Sequence, residues 1–414
     1  MIELIQTIQQ ESLTYITRDI ERALGLGLDI PGYTIISNAT PFAKAMQQQA
    51  KRTQIVLIEE SSLLDTWELC EHTLTHEILA TCPKKNIVVF KPTEQIERLA
   101  TQYEWHLLNP SATLAKQCEE KISQVTWLGE LERYLPPHKI LACKDIAWNY
   151  EPFILQFNRT HTGTGTIFID TKETLEHIQK QFPNRPARVT QYIDGHMYTN
   201  NTIVASDDIF LGNISHQITG LAPFTENRFA TIGNDWELPV TNLSYDAKAL
   251  FQEIAHAIGK RLQASGWRGA FGIDVMVEKN TGQVYLIEIN ARQPASVTYE
   301  SVLQEKRKTG NNTMTTFEAH LSALFGIPLQ QKKIIPLETG AQIILRVSHH
   351  KKFDVARIQT KIQSEGRLNT IPYVTQEVGA DLLRIQSDTG LLQTPNTYTE
   401  IGTYCKNTID AHTL

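Results

Sequence analysis

The sequence predicts a protein of mixed α/β and α+β class, built from several structural units. At 414 residues the chain exceeds what one hydrophobic core usually organises, so two to four units are expected. Short β-branched segments alternate with helix-like segments over residues 1–118, and β-rich segments recur at residues 331–414. These observations predict a parallel α/β domain first and a small mixed β domain last.

The N-terminal alternation is clearest in three strand-like segments. GYTIIS (32–37) and TQIVLIEE (53–60) flank a helix-like segment, and NIVVF (86–90) precedes a second one. Such alternation is typical of a parallel sheet covered by helices. Gly25 and Gly27 give only G-x-G, and no Walker A loop occurs, so a nucleotide would have to be bound by another device.

Two α+β units are expected between the terminal domains. The first contains a helix, a strand, a Thr/Gly-rich loop, a second helix and a second strand, and the next contains strands and one long helix. The predicted domain limits are therefore 1–118, 119–205, 206–330 and 331–414.

The composition disfavours several classes of protein. Lys plus Arg total 39 against 45 for Asp plus Glu, giving a formal charge of -6, without the basic balance typical of nucleic-acid binding. The five cysteines are scattered without CxxC spacing, which disfavours a disulfide framework and a zinc site. No signal peptide or apolar run of spanning length is evident, so we expect a cytoplasmic protein with no membrane partner.

The strongest signal lies in residues 266–296, GWRGAFGIDVMVEKNTGQVYLIEINARQPAS. Two β-rich runs flank a short loop at 280–282, and a three-residue hairpin loop commonly ends in a glycine at positive φ, here Gly282. A loop of this length places Asp274 opposite Glu288, and directly opposed residues point to the same face of a sheet.

Alternation along the second strand puts Leu286, Glu288, Asn290 and Arg292 on one face. Two carboxylates placed together repel unless a cation lies between them or one is protonated, and oxygen ligands suit Mg²⁺. Arg292 would hold a phosphoryl group or a substrate carboxylate. The alternative is a solvent-facing hairpin, or an ion pair of Arg292 with Asp274. A lone E-x-N pattern favours that alternative, whereas the complete set favours a metal site.

The pattern GxDxxV…GxxYxIEINxR in this segment resembles the C-terminal signature of the ATP-grasp superfamily, which includes D-alanine ligases, biotin carboxylases and carbamoyl-phosphate synthetases. The similarity extends over about residues 119–330. It implies the ATP-grasp fold, in which two α+β lobes enclose ATP beside an N-terminal domain. It also implies that Asp274, Glu288 and Asn290 hold Mg²⁺ or Mn²⁺, and that Arg292 acts in catalysis by steadying an acyl phosphate.

The resemblance further implies nucleotide contacts from three segments. Lys121 matches an early lysine that reaches the ATP phosphates, the loop at 162–165 matches a glycine-rich flap that covers them, and the hinge at 191–193 would meet the adenine through its main chain. The complete set of predicted cofactor-binding residues is Lys121, Gln156, Arg159, Thr162, Gly163, Thr164, Gly165, Gln191, Tyr192, Ile193, Met197 and Leu286.

Two positions depart from the pattern of the superfamily. Gln156 stands where a second phosphate-binding lysine is usual, and Met197 stands where a glutamate often binds the ribose. Arg159 or His161 would then supply the missing positive charge from the loop.

Polar residues elsewhere allow two interpretations. His216, Gln217, Asn234 and Asp235 either line a substrate site or belong to ordinary loops, and the sequence leaves both possibilities open. His320 lies among apolar residues of a helix and is expected in the core.

The resemblance implies an ADP-forming ligase that activates a carboxylate as an acyl phosphate and joins it to an amine. Its substrates would be small molecules, such as amino acids or a peptide, and a homodimer is typical of related enzymes. One alternative is an enzyme of carboxylase or carbamoyl-phosphate type that uses bicarbonate as the carboxylate. The other is a nucleotide-binding scaffold without catalysis, an idea motivated by Gln156 and Met197.

Overall fold

A computed structural model of the chain describes residues 2–158, 165–310, 312–375 and 377–414. Its first unit is a five-stranded sheet of order β3-β2-β1-β4-β5 in which all neighbours are parallel. The predicted parallel α/β domain is therefore confirmed. The elements are α1 (Ile2–Glu11), β1 (Leu13–Ile16), a 3-10 helix (Ile20–Leu26), β2 (Tyr33–Asn38), α2 (Pro41–Gln49), β3 (Gln54–Ile58), α3 (Thr66–Glu71), α4 (Thr73–Thr81), β4 (Asn86–Val89), α5 (Glu94–Gln102) and β5 (His106–Leu107).

Both faces of the parallel sheet are covered, which explains why its strands are β-branched and almost continuously apolar. Ile16, Ile36 and Val89 pack on one face with helices α3 to α5. Tyr15 and Ile35 pack on the other face with α1 and with a helix from much later in the chain, α12 (Thr316–Leu324). The N-terminal unit therefore shares a core with the rest of the molecule.

The next unit is a four-stranded antiparallel sheet of order β6-β9-β7-β8. Its apolar face packs against one helix, as expected for an α+β lobe. The elements from residue 112 onward are α6 (Ala112–Glu119), α7 (Ser123–Leu128), a 3-10 helix (Gly129–Tyr134), β6 (His138–Ala142), a 3-10 turn (Cys143–Asp145), β7 (Phe153–Gln156), β8 (Thr166–Ile169), α8 (Lys172–Gln181) and β9 (Pro186–Gln191).

The largest unit is a nine-stranded sheet whose main order is β15-β14-β10-β12-β13-β18-β20-β19, with β11 beside β10. One face of this sheet is covered by α10, α13 and α14. The other face points toward the four-stranded sheet, which forms the small lobe, and toward the N-terminal unit. The strands are β10 (Gly195–Val204), β11 (Ile209–Phe210), β12 (Ile214–Thr219), β13 (Thr231–Asp235), β14 (Gly269–Glu278), β15 (Val284–Asn290), β18 (Ala341–Arg346), β19 (Leu368–Pro372) and β20 (Asp381–Ser387).

The remaining elements flank this sheet. They are α9 (Leu238–Asn242), α10 (Tyr245–Ala264), α11 (Val297–Glu305), β16 (Thr313–Met314), β17 (Lys333–Ile334), α13 (Val355–Gln363), β21 (Leu392–Thr394), β22 (Thr397–Tyr398) and α14 (Glu400–Ala411). Within the described residues, no helix is long and apolar enough to cross a membrane.

Strand pairing refines the expected organisation in two places. β10 pairs along its whole length with β14, so it belongs to the large sheet although the predicted limit at 205 groups it with the small lobe. The C-terminal strands β18, β19 and β20 continue the same sheet through the pairing of β13 with β18. The C-terminal segment is therefore β-rich, as expected, but it extends the central sheet.

Candidate active site

A cavity of about 1230 Å³ separates the four-stranded sheet from the nine-stranded sheet. Residues from both sheets line it, together with the loop that follows α6 and the start of α5. Asp274, Glu288, Arg292 and Lys121 all line this one cavity. The structure thus brings together residues that lie more than 150 positions apart in the sequence.

The β14–β15 hairpin places the two acidic residues side by side. Asp274 pairs with Glu288, as the sequence predicts, and Gly282 has a φ of +70°. The route to this register differs from the expected one. The loop spans residues 279–282, because Glu278 accepts the turn hydrogen bond from Gly282 and donates its own N–H to Gln283. This longer loop shifts the pairing by one residue.

A β-bulge at Ile287 then restores the register before Glu288 is reached, because Val275 pairs with Leu286 while Asp274 pairs with Glu288. The bulge turns Leu286 to the opposite face, where it is fully buried in the core against α10. The prediction that Leu286 contacts the cofactor is therefore wrong. Ile287 takes its place and lines the cavity.

Glu288 is held by a cation from outside the hairpin. The Lys121 Nζ atom lies 2.8 Å from Glu288 Oε1, and the lysine side chain is only 12% exposed. Burial alone would raise the pKa of Glu288, but the charge and hydrogen bond of Lys121, with smaller contributions from Arg292 and Arg188, bring that pKa below its ordinary value. Glu288 is therefore an anion over the physiological pH range.

Asp274 has the opposite character. Its burial and the nearby charge of Glu288 raise the pKa of Asp274 to about 6, against partial relief from Thr199, Lys121 and Gln217. Above about pH 6 both carboxylates are therefore charged, and a cation between them would relieve their repulsion. Asn290 contacts Asp274, since its Nδ2 donates to Asp274 Oδ2 at 3.3 Å.

Arg292 is fixed in place by two acceptors. Its Nη2 donates to Asn290 Oδ1 at 2.7 Å, and its Nη1 forms an ion pair with Glu119 at the end of α6. The other carboxylate oxygen of Glu119 pairs with Lys91 from the N-terminal unit. Arg292 is 27% exposed at the cavity wall, so its guanidinium can meet a bound anion.

The donor set fits a hard divalent cation. Two carboxylates and an amide oxygen are all oxygen ligands, and Mg²⁺ commonly takes one or two carboxylates and completes its shell with water and phosphate oxygens. Among the described residues, no group of three or more His, Cys, Asp or Glu side chains is arranged to hold a metal ion by itself.

The pKa of Asp274 leads to a stability prediction. We expect Asp274→Asn to raise the melting temperature of the metal-free protein by about a few degrees near pH 7.5. The folded-state pKa of about 6 lies above the ordinary value of 3.8, so ionisation destabilises the fold. The destabilisation by ionised Asp274 is absent below about pH 4 and complete above about pH 6. The rise in melting temperature caused by Asp274→Asn should therefore shrink on acidification.

Calorimetry near pH 7.5 and near pH 4 checks this prediction, with Asp194→Asn as the control. Asp194 is an exposed carboxylate that forms a surface ion pair with Lys279, and its loss should change stability little at either pH. A drop in melting temperature for Asp274→Asn near pH 7.5 would contradict the expected cost of the buried charge. Added Mg²⁺ should stabilise the unmodified protein more than this variant.

The cavity has an apolar end next to the hinge. The hinge residues Gln191, Tyr192 and Ile193 line it, as does Met197 on β10, so these predicted residues reach the cavity. Further lining side chains come from three strands, and they are Ile154, Met276 and Ile287. An apolar slot beside a main-chain hinge suits a flat aromatic base, with hydrogen bonds at its edge.

The flap region is described only at its end. Gly165 lines the cavity, and its carbonyl accepts a hydrogen bond of 2.9 Å from the Phe157 N–H. The predicted residues Arg159, Thr162, Gly163 and Thr164, and also His161, lie outside the described residues.

Gln156 lines the cavity, and a residue that the sequence analysis did not single out lies beside it. Arg188 on β9 pairs directly with Gln156 on β7, and its Nη2 donates to Gln156 Oε1 at 2.7 Å. A charged residue inside the predicted strand ARVTQYI was the signal that could have revealed it, because an arginine inside a strand must face either solvent or a polar site.

The other polar candidates divide between the two faces of the large sheet. Gln217 lines the cavity and hydrogen-bonds to Asp274, and Asn234 pairs with Gln217 on the same face. His216 faces the opposite side and contacts the ring of Tyr198, and Asp235 accepts four backbone N–H groups as a structural anchor. His320 lies in the core, as predicted, where its Nδ1 accepts from the Ala270 N–H.

Comparison with known proteins identifies a domain and a fold. Residues 118–296 match a family described as an ATP-grasp domain. No curated protein matches the chain in sequence. Solved structures match its fold over nearly the entire length. Carboxyaminoimidazole ribonucleotide synthase from Aspergillus clavatus, complexed with ATP, has a TM-score of 0.64 at 14% identity and covers 97% of this chain and 98% of its own.

Two further structures show the same fold. N5-carboxyaminoimidazole synthase from Aspergillus clavatus, in complex with ADP and 5-aminoimidazole ribonucleotide, has a TM-score of 0.64 at 13% identity and covers 98% of this chain and 99% of its own. L-amino acid ligase from Bacillus licheniformis has a TM-score of 0.62 at 13% identity and covers 98% of both chains. Residues 118–296 therefore match an ATP-grasp domain, and the chain as a whole shares the fold of these solved structures.

Proposed function

We propose that this protein is an ADP-forming ligase that activates a carboxylate with ATP and joins it to an amine. The observation that carries the proposal is the convergence of Asp274, Glu288, Arg292 and Lys121 on one cavity between two lobes. Asn290 is hydrogen-bonded to two of them, Asp274 and Arg292. A carboxylate pair with Lys121 on one member and Arg292 nearby, next to an apolar slot, suits a metal-bound triphosphate whose base lies in the slot.

Each residue of the cluster has a role in phosphoryl transfer. Asp274, Glu288 and Asn290 would hold Mg²⁺ or Mn²⁺, and the bound ion supplies neutralisation of charge on the phosphates. Lys121, already 2.8 Å from Glu288, would contact a phosphate oxygen as well. Arg292 would stabilise the transferring phosphoryl group and then the acyl phosphate, because its planar guanidinium matches both phosphate and carboxylate oxygens.

The second half-reaction needs no side-chain nucleophile. The carboxylate oxygen attacks the γ-phosphate and releases ADP, and the amine then attacks the acyl carbon and releases phosphate. The neutral form of the amine must be the nucleophile, so its proton passes to solvent or to a cavity carboxylate. Lobe closure around the cavity would keep water from the acyl phosphate.

The substrates that we propose are small molecules, and amino acids or a short peptide are the first choice. The likeness to L-amino acid ligase supports an amino-acid carboxylate and amine. A second candidate, bicarbonate with an amine acceptor, is favoured by the likeness to carboxyaminoimidazole ribonucleotide synthases. We further propose that the protein acts in the cytoplasm and that it forms a homodimer, as related enzymes often do.

ADP release measured against a matrix of substrates tests the proposal. One arm contains L-amino acids in pairs, and the other contains bicarbonate with amines that include 5-aminoimidazole ribonucleotide. We expect at least one combination to raise ADP release about tenfold or more above the rate with ATP alone, within the usual kcat range of about 1 to 1000 s⁻¹. Product mass then identifies the new bond.

The two arms separate the candidate functions. A response to paired amino acids with a dipeptide product supports the ligase, whereas dependence on bicarbonate supports the second candidate. ATP binding without ADP release in either arm would favour a binding scaffold and contradict the proposed activity.

A further inference from the structure

Arg188 places a buried positive charge in the wall of the nucleotide cavity. Its side chain is 3% exposed, yet it lines the cavity from the middle of β9. The partner strand β7 places Gln156 directly opposite. The charge therefore lies beside the end of β7, the strand that precedes the predicted flap.

Two neutral amides fix the guanidinium. Its Nε and Nη2 donate to Gln156 Oε1 at 3.0 and 2.7 Å, and its Nη1 donates to Gln124 Oε1 at 3.2 Å. Both amides are anchored in turn, because Gln156 Nε2 donates to Thr166 Oγ1 at 3.2 Å and Gln124 Nε2 donates to the Cys118 carbonyl at 2.7 Å. These contacts orient the side chain without neutralising it.

A buried cation is costly to the fold unless an anion accompanies it. Within the described part of the chain, no carboxylate forms a salt bridge or hydrogen bond with Arg188. Burial lowers the pKa of Arg188 to about 10, with Glu288 acting through space in the opposite sense, so the side chain stays charged near neutral pH. The cavity therefore retains an oriented positive charge with which an anionic ligand can form an ion pair.

We infer that Arg188 binds the phosphate groups of the nucleotide and supplies the charge that Gln156 lacks. Gln156 then acts as a positioning residue that holds the guanidinium, and the cation reaches the cavity from β9 instead of β7. Paired residues on antiparallel strands have Cα atoms about 4.5 to 5.5 Å apart, so a charge on either residue can serve the same pocket. This inference rests on the proposed function only in taking ATP as the ligand.

Nucleotide binding by calorimetry, without turnover, tests the inference. We expect Arg188→Gln to weaken ATP binding about ten- to a hundredfold, the usual range for loss of a charge-assisted contact, while adenosine affinity changes less than about twofold. The double variant Gln156→Lys with Arg188→Gln returns a cation to the opposite strand and should recover most of the ATP affinity. Lys139→Gln is the control, because it removes an exposed charge from the same sheet.

Three outcomes would overturn the inference. They are unchanged ATP affinity in Arg188→Gln, an equal loss for ATP and adenosine, and no recovery in the folded double variant. If Arg188→Gln does not fold, the comparison is made between the double variant and Arg188→Lys, both of which keep a cation and should favour ATP over adenosine as the unmodified protein does. Normal ATP binding without ligase activity would contradict the proposed function and leave the role of Arg188 intact.

Discussion

Glu288→Gln is expected to lower kcat for ADP release about a thousandfold, because it removes one negative charge from the metal site. Glutamine keeps an oxygen that can accept the hydrogen bond from Lys121, so the change is mainly electrostatic. A cation bound at phosphates contributes several kcal/mol to transition-state stabilisation, and about 4 kcal/mol corresponds to a thousandfold change in rate. The measurement is steady-state ADP release over a range of Mg²⁺ concentrations.

Glu278→Gln is the matched control for this substitution. Glu278 ends β14 at the turn of the same hairpin, where its side chain contacts Thr281 and not the cavity. We expect the control to retain nearly full activity and the same Mg²⁺ dependence. If the Glu288→Gln enzyme kept more than about a tenth of the normal rate at saturating Mg²⁺, that result would contradict the proposed metal site.

Arg292→Ala is expected to lower kcat about a hundred- to a thousandfold with a smaller effect on ATP binding. The guanidinium lies at the cavity wall and is held by Asn290 and Glu119, so it is fixed before the reaction begins. Charge that develops on a transferring phosphoryl group is stabilised most by donors that need no reorganisation. Single-turnover ADP formation, compared with equilibrium ATP binding, separates the two effects.

Arg292→Lys and Arg357→Ala complete the second experiment. Lysine keeps the charge but not the planar pair of donors, so it should recover only part of the rate. Arg357 is an exposed residue of α13 with a surface ion pair, and its loss should leave the rate unchanged. Equal losses in kcat and ATP affinity for Arg292→Ala would instead assign Arg292 to ground-state binding.

The sequence predicted the acidic pair correctly because local rules nearly suffice within a hairpin. Gly282 marks the turn, and alternation carries the pattern from the turn to Glu288. Two departures from the expected hairpin cancel, namely a loop one residue longer and a bulge at Ile287. The bulge turns Leu286 into the helical core, and a sequence pattern does not contain that contact.

The rest of the site depends on contacts between distant segments. The side chain of Arg188 is oriented by Gln156, which is 32 positions away on another strand, and by Gln124, which is 64 positions away. The separation of Gln217 from His216 between the two faces likewise follows from strand pairing. Side-chain alternation would have given this division if the strand at 214–219 had been recognised as part of the sheet.

The continuity of the nine-stranded sheet has a consequence for excising the catalytic region. The segment 118–296 stops before β18, so a fragment with those limits would leave the edge of β13 without its neighbour and its row of backbone donors and acceptors bare. It would also uncover apolar side chains of β12 and β13 that α13 and α14 now shield. We expect such a fragment to self-associate, so biochemical experiments should use the whole chain.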